Sequence, residues 1–310
     1  MAEKISASLC GFTMSSPLVL ASGIMGLSAS SMRRVSESGA GAVTTKSFSI
    51  EERKGHPCPA IIPYEHGYLN AVGLSNPGYE EMLKEITEFT SVAPRTSIFA
   101  SIFGKTVEEF GIVAEKISQK PSGIALIELN VSCPNVASEF GRPFVSDIKE
   151  LEKITKTVKS KSGKIPVSVK LSLQCASLSE TAKCCEASGA DAITAINTVG
   201  PGMLIDINSR NPVLSNKFGG VSGPSIFPLT VKAVYEIFSA VKIPIIATGG
   251  VSSSEDAIQL ILAGASAIGI GSGIHKNGLD IFSQINKKLA EYATTNELSN
   301  IFDLKGKAHA

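Results

Sequence analysis

The chain of 310 residues has no tryptophan, only four histidines and 6% aromatic residues. It also has almost no net charge: 29 Lys and Arg against 28 Asp and Glu leave +1. So balanced a chain offers no electrostatic footprint for a polyanion, which argues against nucleic acid as its partner. No apolar run approaches the ~18 residues that a membrane span needs. The opening Met1-Ala-Glu-Lys-Ile-Ser lacks the basic-then-apolar pattern of a secretory signal. The histidines His56, His66, His275 and His309 have no metal-ligand spacing, and the six cysteines Cys10, Cys58, Cys133, Cys175, Cys184 and Cys185 fit no zinc or iron–sulfur template. These absences together predict a soluble cytoplasmic protein with reduced thiols and no metal site of its own.

What the chain does have is glycine, 28 residues of it, and a regular alternation. Eight short apolar runs recur: Pro17–Ala21, Ala42–Phe48, Ser97–Phe103, Gly123–Val131, Ile165–Leu171, Ala192–Asn197, Pro244–Thr248 and Ala267–Gly271. Amphipathic stretches separate and follow them: Ser30–Ser38, Tyr79–Thr90, Thr106–Gln119, Ser146–Ser160, Ser179–Ser188, Ile226–Val241, Ser254–Ala263 and Leu279–Thr294. Ser252-Ser253-Ser254 followed by Glu255-Asp256 reads as a helix start, and Gly39, Gly189 and Gly264 read as helix stops. Eight such units predict an α/β fold, a (β/α)8 TIM barrel. A doubly wound sheet is the alternative, but the Gly-x-Gly-x-x-Gly expected after its first strand is missing. Two segments exceed the minimal barrel, Ser49 to Gly78 and Gly200 to Gly223. They are insertions after strands 2 and 6, on the C-terminal face where barrel enzymes build their pockets.

The fourth run ends in Glu128-Leu-Asn-Val-Ser-Cys-Pro-Asn-Val136. Amides can orient a planar polar ligand and a thiol can exchange a proton, although the same residues also suit a plain turn. At other strand ends stand Ala21-Ser22-Gly23, Lys46-Ser47, Ser101, Lys170, Asn197-Thr198, Gly249-Gly250 and Gly271-Ser272. Lysines at the ends of apolar strands need partners. An ion pair is the plain explanation, yet no acid stands at a neighbouring strand end except Glu128, which precedes the polar stretch, and an anionic ligand would satisfy both lysines at once. The glycines after strands 7 and 8 let backbone N–H groups approach a phosphate. Flavin mononucleotide (FMN) fits this set, with its phosphate at Gly249, Gly250, Gly271 and Ser272. Lys170 would then stand near the ring edge that becomes negative on reduction.

At this point the motifs resemble a known family, the class 1 dihydroorotate dehydrogenases, over nearly the whole chain. The likeness rests on Glu128–Val136, Thr45-Lys46-Ser47, Asn70-Ala-Val-Gly-Leu-Ser-Asn-Pro-Gly78, Gly202-Met-Leu-Ile-Asp-Ile207, Gly219-Gly-Val-Ser-Gly-Pro224 and Thr248-Gly-Gly-Val251. Several of these look more like the B-type branch than the A-type. The chain departs from the B-type pattern at Ser101, usually asparagine, and over Ala137–Ser146.

The resemblance implies a single FMN-binding barrel domain over residues 1–310. It implies oxidation of (S)-dihydroorotate to orotate in pyrimidine synthesis. Cys133 would remove the C5 proton, a hydride would pass from C6 to FMN N5, and Lys46 and Asn130 would complete the catalytic group. FMN would be held by Ala21, Ser22, Gly23, Lys46, Ser47, Ser101, Asn130, Lys170, Ile196, Gly223, Gly249, Gly250, Gly271 and Ser272. The substrate would meet Lys46, Asn70, Ala71, Val72, Gly73, Leu74, Asn130, Asn135, Asn197 and Thr198. The segment from Pro134 to Ser146 would act as a lid. In the B-type, electrons reach NAD through a partner subunit that carries FAD and a [2Fe-2S] cluster. The implied assembly is therefore a homodimer, or a heterotetramer with that electron-transfer subunit. The alternatives are a fumarate-linked homodimeric A-type enzyme, a dihydropyrimidine dehydrogenase-like flavoenzyme, an RNA-modifying flavin barrel, or a barrel that only binds phosphate.

Overall fold

Strands buried on both faces read as continuous apolar runs rather than alternating ones. All eight runs fold that way. The computed structural model describes residues 2–120, 123–131 and 144–310. Its central strands are β1 (Leu18–Leu20), β2 (Ala42–Thr44), β3 (Ser97–Ile102), β4 (Ile124–Asn130), β5 (Val167–Leu171), β6 (Ala192–Ala195), β7 (Ile245–Thr248) and β8 (Ala267–Ile270). Each pairs in parallel with its sequence neighbours, and β8 pairs with β1, so the sheet closes into the predicted barrel. The second run is shorter than its sequence predicts. After Thr44 the chain turns away, with Lys46 N–H donating to Gly26 O at 2.7 Å, and Phe48 keeps only an isolated bridge to Ile102.

Helices α1 (Ala29–Glu37), α2 (Tyr79–Val92), α3 (Val107–Ser118), α4 (Ile148–Lys161), α5 (Leu178–Ala187), α6 (Phe227–Ala240), α7 (Ser254–Leu262) and α8 (Ile281–Thr295) follow the strands in turn. Side-chain oxygens of Ser28, Thr106, Asp147, Ser177 and Ser253 accept from otherwise unpaired first-turn N–H groups. Each such cap is worth roughly 1 kcal/mol. Gly39, Gly189 and Gly264 follow three of the helices, all at positive φ, the usual device for ending a helix before the next strand.

The barrel interior is layered. At the bottom, Val19, Ala42, Phe99, Leu126, Ile246 and Ala267 form an apolar layer. The antiparallel hairpin Ala7–Leu9/Phe12–Met14 plugs it from below, with Phe12 edge-on to Phe99 at 5.9 Å. Because side chains alternate along a strand, residues two positions on face the same way one layer higher. That second layer is polar: Ser101, Glu128, Ser168 and Thr194 are all buried. The next step up β4 and β5 gives Asn130 and Lys170, which stand side by side in register.

The two insertions do not lie apart as loops. Gly67–Asn70 from the first pairs with Gly219–Ser222 from the second. With Ile61–Tyr64 and Val199–Gly202 they make a four-stranded antiparallel sheet over the C-terminal mouth. Leu69, Ala71 and Leu214 give this sheet its own small core. Among the described residues no helix is long and apolar enough to cross a membrane.

Candidate functional site

At the C-terminal ends of the strands, beneath the insertion sheet, lies a pocket with about 1150 Å³ of empty space counted to its open mouth. Its floor is a chain of polar contacts between neighbouring strands. Ser22 Oγ donates to Thr45 O at 2.8 Å and lies 3.2 Å from Ser47 Oγ. Ser47 Oγ is 2.9 Å from Ser101 Oγ and accepts from Asn130 Nδ2 at 3.1 Å. Asn130 Oδ1 in turn accepts from Asn197 Nδ2 at 3.2 Å, and Asn197 Oδ1 accepts from the Thr198 N–H at 2.8 Å. Locked this way, the amides keep fixed orientations toward the cavity. Asn70 is held similarly, donating to Gly220 O at 3.1 Å across the insertion sheet.

Lys46 and Lys170 line the pocket, and no acidic residue lines it among the described residues. The sequence pointed to an anionic ligand as the partner of Lys170 rather than an ion pair. An ion pair exists: Lys170 Nζ lies 3.5 Å from Glu128 Oε1, with both side chains buried. Lys46 too has a partner within the structure.

At the far end the wall is glycine. Gly249 and Gly250, after β7, have φ of +133° and +80°. A Cβ on Gly249 would come within 2.4 Å of Thr230 Oγ1; one on Gly250 would come within 2.8 Å of Phe227 N and 2.9 Å of Gly223 O. Side chains are excluded here, so backbone faces the cavity, as a phosphate cradle requires. Gly271 and Ser272 complete this end from β8.

Of the residues singled out by sequence, the pocket lining unites Ala21, Ser22, Gly23, Lys46, Ser47, Asn70, Val72, Gly73, Leu74, Asn130, Lys170, Ile196, Asn197, Thr198, Gly249, Gly250, Gly271 and Ser272. Three others stand behind the lining. Ser101 is fully buried one layer down, its hydroxyl donating to Glu128 Oε1 at 3.3 Å. Ala71 sits in the small core of the insertion sheet. Gly223 backs Gly250 with its carbonyl. Cys133, Asn135 and nearly all of the lid segment lie outside the described residues.

Sequence reasoning passed over several neighbours. Tyr68 and His275 line the mouth with their rings 4.8 Å apart. Arg53 Nε donates to Gly73 O at 2.7 Å. His56 lies with Nδ1 3.1 Å from Ala71 O, and its backbone N–H donates to Val72 O. Arg53 and His56 thus hold the 71–74 loop from outside, and in that loop Gly73 and Leu74 both have positive φ. Charge and ring character marked these residues in the sequence, but their partners come from distant segments.

The described cysteines are all free thiols. Burial, reinforced by Asp191 and opposed by Lys159, pushes the Cys10 thiol up to about 12. Burial also raises Cys185. Only the thiolate is reactive, so at pH 8 a thiol reagent should modify exposed Cys58 and leave Cys10 and Cys185 untouched; peptide mapping of the labelled protein checks this.

The class that fold and mouth define is a (β/α)8 barrel whose mouth gathers two lysines, a wall of glycine and a set of fixed amides. Comparison with known proteins narrows that class. A family model described as dihydroorotate dehydrogenase matches residues 4–292. The protein from Methanosarcina mazei named dihydroorotate dehydrogenase B (NAD(+)), catalytic subunit, is 42% identical over 302 residues, 97% of this chain and 94% of its own. Its namesake from Methanocaldococcus jannaschii is 40% identical over 307 residues, 98% of both chains. That from Methanothermobacter thermautotrophicus is 37% identical over 305 residues, again 98% of both. The chain belongs to the dihydroorotate dehydrogenase family.

Proposed function

We propose that the chain is the FMN-bearing catalytic subunit of an NAD-linked dihydroorotate dehydrogenase. It would oxidise dihydroorotate to orotate for pyrimidine synthesis, in the cytoplasm. The observation that carries this reading is one pocket in which a glycine cradle, a buried lysine and an arc of fixed amides meet. Family membership supports it independently. FMN fits the residues present. Side-chain-free backbone at Gly249 and Gly250 suits its phosphate, and Lys170 suits the ring edge where negative charge gathers. Bound there, FMN supplies a two-electron acceptor.

The chain's own residues then bind, orient and move a proton. Lys46 and the backbone N–H groups of Gly73 and Leu74 receive the substrate carboxylate. Asn70, Asn130, Asn197 and Thr198, with Asn135, match the mixed donors and acceptors of a pyrimidine ring, which a charged side chain could not. Cys133 takes the proton from substrate C5. Arg53 and His56 keep the carboxylate loop in shape from behind.

The electron acceptor is proposed from the printed names of the relatives, which specify NAD(+) and a catalytic subunit. Electrons would leave through a second subunit carrying FAD and a [2Fe-2S] cluster, docked on a homodimer of this chain. The decisive experiment is anaerobic addition of dihydroorotate to the purified chain while the flavin's visible absorbance is followed. Bleaching is expected. A yellow protein that bleaches with dihydrouracil and not with dihydroorotate would overturn the substrate, and a lone homodimer that turns over with fumarate would overturn the partner.

A further inference from the structure

Glu128 has no part in the chemistry described so far, yet it is an acid buried inside the barrel, 3% exposed, directly below the pocket floor. A carboxylate in such a place is costly unless paired and hydrogen-bonded. Its partners are specific. Lys170 Nζ approaches Oε1 from above at 3.5 Å, and Ser101 Oγ donates to the same oxygen at 3.3 Å. Ser101 Oγ lies 2.9 Å from Ser47 Oγ, which accepts from Asn130. The carboxylate therefore touches the lysine directly and the amide floor through two hydroxyls.

The distance to Lys170 matters. Charge-assisted N–H···O bonds close to roughly 2.7–2.9 Å, and this contact is looser. An ammonium has three donors, and the Glu128 contact engages Lys170 from beneath. We infer that Glu128 is a positioning residue that sets how much positive charge the pocket presents to the cofactor, by holding Lys170 from beneath. The inference rests on the flavin reading given above and adds to it a control on the flavin's reduction potential. Lys170 favours the reduced form, and Glu128 moderates it. The buried pair places the opposing charge on the side away from the ligand.

The test is the midpoint potential of bound FMN, measured by dye-coupled titration of the holoenzyme and its variants. Glu128→Gln keeps the shape and removes the anion. The potential should rise by about tenfold in the two-electron equilibrium, or about 30 mV. Lys170→Met leaves the buried carboxylate without its cation, and the potential should fall. Glu128→Asp keeps the charge and should return most of the way to wild type. Opposite signs for the two removals are what a merely structural role cannot give, since loosening the barrel floor would move both variants alike. A Glu128→Gln potential that is unchanged or lower overturns the inference and leaves the functional reading intact. If that variant does not fold, a Lys170→Met potential that fails to fall overturns it equally. A wild-type protein that takes up no flavin overturns both.

Discussion

Cys133→Ala should hold its flavin as the wild type does and reduce it on dihydroorotate some 10²–10⁴ times more slowly, the usual worth of a positioned general base. The substitution keeps the residues of the glycine cradle and Lys170, so flavin content should not change. The proton at substrate C5 then has no acceptor of suitable basicity, and stopped-flow bleaching of the flavin measures the loss directly. The pH dependence carries a sign. A base acts in its deprotonated form, and a free thiol has a pKa of ~8.5. The wild-type rate should therefore climb as pH rises through that region, whereas the residual rate of the variant should not follow the same curve. Normal flavin reduction in Cys133→Ala would remove the residue from this role.

Gly250→Ala should yield a protein purified largely without flavin. Position 250 has φ of +80°, a conformation that L side chains rarely adopt, and its new Cβ would stand 2.8 Å from Phe227 N and 2.9 Å from Gly223 O. Both neighbours are backbone, one at the start of α6 and one just before it, and neither can swing aside as a side chain could. Strain of this kind costs on the order of 1–3 kcal/mol. Relief requires moving the turn that follows β7, and with it the wall of the cradle. Two measurements separate binding from folding: the ratio of flavin to protein absorbance, and the thermal melt of the flavin-stripped wild type against the stripped variant. Loss of flavin with a melt lowered by only a few degrees is expected. A fully yellow variant would mean that the phosphate sits elsewhere.

How much of this could be read from the sequence differs by feature, for physical reasons. The eight strands were legible because a strand covered on both faces is a local apolar run, and caps such as Ser253 and stops such as Gly264 are local too. The residues at strand ends were legible because a closed barrel brings all such ends to one rim. Ser101 was harder. Strand parity turns it inward, but its depth depends on the β3–β4 register, which sets it opposite Glu128 and one layer below the pocket. Glu128 itself stands two residues before Asn130, so their shared face was visible in the sequence, but its partner on β5 was not. The insertions read as irregular chain because proline and glycine break their pattern. Each insertion has a pairing of its own, Ile61–Tyr64 with Gly67–Asn70 and Val199–Gly202 with Gly219–Ser222, but what joins them, Tyr68 opposite Ser222 and Asn70 opposite Gly220, is long-range pairing that no local signal reports.

The seam where β8 meets β1 would give a bound flavin a second use. Ala21 N–H donates to Ile270 O at 2.9 Å, and both sides of that seam, Ala21 to Gly23 and Gly271 to Ser272, border the same pocket. The earliest and latest strands of the barrel must therefore meet before the cavity is whole. A ligand that binds only this closed state stabilises it by mass action, so with FMN bound yellow colour would report ring closure. A chain stalled during synthesis, or nicked and opened at that seam, should stay colourless however well its remaining helices are formed.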